Sequence, residues 1–166
     1  MSVLVRASAT ARATPRALGR DVNASRRRCA RARAVDASVA YAVAQQDVAL
    51  AVCVLGEALV ARENIREGTP GRPEIAFVGP ACGALVAAFA LCQTDNDVTT
   101  PAGLILAALA CGALGAQYAK RFDETPRAPL EWPGPRLYPT LGVMFSLFAF
   151  LANVEALPRV LNPLAV

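Results

Sequence analysis

IAFVGPACGALVAAFALC, residues 75–92, runs for 18 positions without a charge. A helix of that length rises about 27 Å, close to the roughly 30 Å hydrocarbon thickness of a bilayer. Two further stretches read the same way. PAGLILAALACGALGAQYA, residues 101–119, is uncharged, and LYPTLGVMFSLFAFLA, residues 137–152, extends to Leu157 with Glu155 placed at the interface. Three membrane-spanning helices are expected, near 75–92, 101–119 and 137–157.

The stretch 39–61 is a weaker fourth span. Gln45, Gln46 and Asp47 divide it, and Glu57 punctuates its second half. At 100° per residue, Gln46, Glu57 and Asn64 fall within about 20° of one another. They make one polar stripe on an apolar helix, which either lies at the interface or crosses with the stripe turned into a bundle. Crossing is the preferred reading. The expected fold class is all-α: an integral membrane bundle of three to four transmembrane helices after a disordered N-terminal leader.

That leader carries the chain's basic character. Nine of the 17 basic residues, all Arg, precede residue 37 against two of the 13 acidic ones, so the remainder has a net charge of −3. Residues 1–37 are rich in Arg, Ala, Ser and Thr and have no long apolar core. This is the profile of an organellar transit peptide rather than a secretory signal. A nucleic-acid-binding arm is the rival, but no aromatic side chain interrupts the run to stack on bases. Val35-Asp36-Ala37 is similar to sites cut by stromal processing, which favours a chloroplast membrane, thylakoid or inner envelope. The mitochondrial inner membrane is the alternative.

The connectors set the topology. Gln93–Thr100 is short, polar and without a basic residue, whereas residues 62–74 and 120–136 carry three and four. Basic loops mark the side that is not translocated. The second and third spans therefore form a hairpin whose turn lies on the far side.

Inside that hairpin the chain repeats itself: ACGALVAAFA from Ala81 and ACGALGAQYA from Ala110. Each copy sets small residues four apart, as Gly83 with Ala87, Gly112 with Ala116, and Cys111 with Gly115. Close approach over small residues is what packs helices in lipid, so these six are the expected helix-packing positions. Cys53, Cys82, Cys92 and Cys111 are expected to act as small packing residues.

Catalytic equipment is sparse. The chain has no histidine, which removes bis-His haem ligation, HExxH zinc chemistry and any Ser-His or Cys-His pair. No nucleotide-binding glycine motif occurs, no metal site is expected, and no cofactor is predicted. Glu57-Ala-Leu-Val-Ala-Arg62 has the Glu and Arg spacing of the light-harvesting ExxNxR motif but valine at the ligand position. Chlorophyll is therefore unsupported. Gln46, Glu57 and Arg62 form the candidate intramembrane polar site. In one reading Glu57 accepts a proton or meets a quinol hydroxyl; in the other it pairs with Arg62.

From Pro73 to Glu155 the chain resembles the later three helices of DoxX-like small membrane proteins. A Glu opens the second helix (Glu74), and the third passes from Gly112-Ala113 to the basic pair Lys120-Arg121. The resemblance implies a four-helix bundle and, in some relatives, a quinone-linked redox subunit. The expected role is a non-enzymatic accessory or assembly subunit, in contact with membrane lipids and other subunits or with itself, and with no nucleic acid. The alternative is a quinone-linked redox subunit or proton-coupled transporter using Glu57.

Overall fold

The computed structural model describes residues 16–94, 96–126 and 134–161, with side chains from Ala37 onward. The described residues form four helices: α1 (Arg16–Asn64), α2 (Ile75–Cys92), α3 (Thr99–Glu124) and α4 (Leu137–Leu161). Each holds a stretch long and apolar enough to cross a membrane, and in α1 that stretch is Ala37–Asn64. The protein is an all-helical, four-span integral membrane bundle.

Of the leader read as a transit peptide over residues 1–37, residues 1–15 lie outside the described residues. Over 16–36 the backbone is helical and joins the first span without a break. No proline occurs between Pro15 and Pro70, and Ala and Arg favour helix, so nothing local stops α1 before its apolar part begins. Pro101 sits in the first turn of α3, where its missing N–H would lack an intrahelical partner anyway. The Asn96 side chain accepts from the Val98 N–H at 3.1 Å, and the hydroxyls of Thr94 and Thr99 meet across the turn. These bonds close the α2–α3 hairpin.

The helices run up and down in chain order, with α4 returning to α1 and with α1 and α3 on the diagonal. One end gathers the α1–α2 and α3–α4 connectors; the other holds the α2–α3 turn. Buried positions repeat by alternating steps of four and three. On α1 they run through Ala40, Ala44, Asp47, Ala51, Val54, Ala58 and Ala61, with Leu50 buried beside them; on α3 they include Leu104, Ala107, Cys111, Leu114, Tyr118 and Arg121. That is a 3.5-residue seam, the mark of a left-handed bundle. Leu85, Leu104 and Leu114 fill its centre, each at most 1% exposed. At Gly103 a Cβ would come within 2.8 Å of the Ala88 carbonyl oxygen and of Cys92 Sγ, so α2 and α3 touch backbone to backbone there.

The repeat uses the same faces in both copies. Cys82 and Leu85 on α2, and Cys111 and Leu114 on α3, point into the core, while Gly83, Ala87, Gly112 and Ala116 are exposed. Packing within the chain thus runs through Cys and Leu. Of the six expected positions, Cys111 is buried, Gly115 lies against Ser146, and Gly112 lies beside Phe150. Gly83, Ala87 and Ala116 face outward because the seam consumes only the positions three and four apart on the opposite side.

Candidate functional site

At the connector end, Glu57 on α1 meets Arg121 on α3. Arg121 Nη2 donates to Glu57 Oε1 at 2.8 Å and Nη1 to Oε2 at 3.0 Å, a bidentate pair. The Tyr118 hydroxyl, one turn back on α3, donates to Oε2 at 2.9 Å. The guanidinium lies 4.9 Å from the centroid of the same Tyr ring. Its remaining Nε donates to the Gly71 carbonyl at 3.0 Å, which ties the α1–α2 connector to α3. Gly71 can come this close because it has φ +81° and no Cβ; a side chain there would overlap Thr125. The Arg121 side chain is 4% exposed and that of Glu57 17%, so this is an enclosed ion pair with its hydrogen bonds filled.

Two neighbouring contacts brace it. The Tyr118 ring covers Gly142 on α4 so closely that a Cβ at Gly142 would overlap the ring. Arg136 Nε donates to the Thr125 carbonyl at 2.8 Å, with its guanidinium 4.7 Å from the centroid of Phe122. α1, the α1–α2 connector, α3 and α4 are thereby latched at this end.

A second polar group lies deeper. Asp47 on α1 is 1% exposed. Asn153 Nδ2 on α4 donates to both of its carboxylate oxygens at 3.0 Å and to the Ala149 carbonyl at 2.9 Å. Cys111 Sγ on α3 reaches Asp47 Oδ1 at 3.8 Å. Among the described residues no basic side chain pairs with Asp47. Asn153 Oδ1 and, two turns earlier on α4, Ser146 Oγ are buried without a partner.

The expected polar site is therefore rearranged. Glu57 takes Arg121 as its partner rather than Arg62; Arg62 is exposed and offers its carbonyl to Arg72 at 3.2 Å. Gln46 is exposed and does not join Glu57. The reason is the period. At 3.6 residues per turn the 11 positions between them drift about 20°, but along a 3.5-residue seam they drift about 51°. Gln46 then shares its place with exposed Cys53 and Val60, and the seam passes through Asp47. The signal that could have found Asp47 was the run 40, 44, 47, 51, 54, 58, 61, in which every other member is apolar.

Arg121 was equally concealed. Beside Lys120 it reads as a basic foot at the end of a span, yet Lys120 alone is exposed, paired with Glu124 at 3.8 Å. No family model, curated protein or solved structure matches this chain.

Proposed function

We propose that the protein is a non-enzymatic accessory or assembly subunit of a larger complex in a plastid membrane, thylakoid or inner envelope. The observation that carries this reading is the outer face of α2. Gly79, Gly83 and Ala87 stand four apart, and nothing lies within 4 Å of where a Cβ at either glycine would be. In lipid, an open small-residue face lets another helix approach its backbone closely. The chain's own packing makes no use of it. The Arg-rich leader supports the organellar address, with the mitochondrial inner membrane as the alternative. The DoxX-like resemblance accords with a four-helix bundle and adds nothing on activity.

A transporter or quinone-linked role built on Glu57 has less support, because that carboxylate already holds Arg121 and Tyr118. The test is native electrophoresis of solubilised organelle membranes, with mass spectrometry of the band containing the protein. Comigration with a large complex, lost on Gly83→Ile, is the expected result. A small oligomer indifferent to Gly83→Ile would overturn the proposal.

A further inference from the structure

We infer that Asp47 is a proton-binding site in the membrane interior, with Asn153 as the group that holds its ionised form. Depth is the first observation. Asp47 lies about 5 Å along the axis from the middle of the Ala37–Asn64 span at 1.5 Å per residue, and its contact Cys111 is at the centre of α3. The carboxyl group thus sits near mid-membrane, where an ion is costly and an intramembrane acid faces a protein interior or a water-filled space.

The second observation is what surrounds it. From α4 comes only the Asn153 amide, and from α3 the Cys111 thiol. On α2 the nearest titratable group is Cys92, whose thiol is engaged with the Thr100 carbonyl at 3.8 Å. On α1 itself, the adjacent polar side chain, Gln46, is exposed. Among the described residues none of these groups supplies a positive charge. Glu57 is the contrast within the same helix: its carboxylate is paired with the Arg121 guanidinium.

A carboxylate with two hydrogen bonds from one amide and no cation has a simple way to remove its charge, which is to take up a proton. Asn153 makes that uptake reversible. Its Nδ2 favours the ionised form, while turning the amide over would present Oδ1, buried and without a donor, to the protonated acid. A cleft of about 290 Å³ between α3 and α4, lined by Gly115, Val143, Leu147 and Phe150, reaches Cys111 beside the carboxylate. This inference is independent of lateral assembly through α2.

Infrared spectroscopy of the full chain in liposomes tests it. The carbonyl stretch of a protonated carboxylic acid is expected at pH 7, where water-exposed carboxylates are ionised. The band should vanish in Asp47→Asn and persist in Glu57→Gln. Asn153→Leu, which removes the donor, should move its titration midpoint by at least one pH unit toward tighter proton binding, a tenfold change in affinity. No band at pH 7, a band that survives Asp47→Asn, or a midpoint unmoved by Asn153→Leu would each sink the assignment. Should Asp47→Asn not fold, the Asn153→Leu titration alone decides.

Discussion

Arg121 reaches across 64 residues of chain to hold Glu57 with two parallel hydrogen bonds, and the same guanidinium fixes the Gly71 carbonyl. One side chain therefore joins α1, α3 and the α1–α2 connector. Removing one member of an enclosed ion pair leaves an uncompensated charge, which typically costs about 3–5 kcal/mol. Because Glu57 is partly exposed and keeps its bond from Tyr118, Arg121→Gln should fall near the lower end of that range. Glu57→Gln should destabilise comparably by stranding the guanidinium, and Arg62→Gln should be close to neutral. Equilibrium unfolding in mixed micelles measures all three. Equal effects of Arg62→Gln and Arg121→Gln would contradict the pairing.

The contact between Tyr118 and Gly142 predicts a sharp size limit. A methyl group at Gly142 must displace the Tyr ring, and with it the hydroxyl that serves Glu57. Gly142→Ala should cost about 1–3 kcal/mol as an overpacked core. Gly83→Ala, in open space, should leave monomer stability unchanged. If the two substitutions behave alike in a thermal unfolding assay, α3 and α4 do not pack as described.

The connector glycines separate strain from crowding. Gly68 and Gly71 both have positive φ, 82° and 81°. Alanine at Gly68 meets nothing and should cost only the roughly 1–2 kcal/mol of a left-handed L-residue. At Gly71 it also collides with Thr125, so Gly71→Ala should be clearly the more damaging. Protease sensitivity of the 65–74 connector should rise in parallel.

The spans were legible because uncharged runs of 18 and 19 residues admit few other readings. Their ends were less so. α3 continues past Ala119 to Glu124, since Arg121 is drawn inward by a partner no local pattern reveals. The site was legible only in part. Glu57 announces itself as an acid in an apolar helix, but its cation lies on another helix. Asp47 was hidden by assuming the period of a free helix, where the bundle imposes a slightly shorter one. A polar residue one position off changes from surface to core under that difference.

Topology can be checked directly. In a cysteine-free chain, Glu67→Cys in the basic connector and Asn96→Cys in the α2–α3 turn should react with a membrane-impermeant maleimide from opposite faces of sealed vesicles. Both positions are exposed. Labelling from the same face would mean that α2 does not cross.

The partners of Asp47 and Glu57 have a consequence for how the protein is made. α1 leaves the ribosome first, yet the groups that quench its two acids, Arg121 and Asn153, come 64 and 106 residues later. Until α3 and α4 arrive, the earliest helix is the least fit to stay in lipid. A chain truncated after residue 74, which holds α1 alone, should accordingly be released by alkaline extraction, while the full chain resists it. Synthesis order and settling order are inverted: of the four helices, the first to be made is the last to be fully partnered.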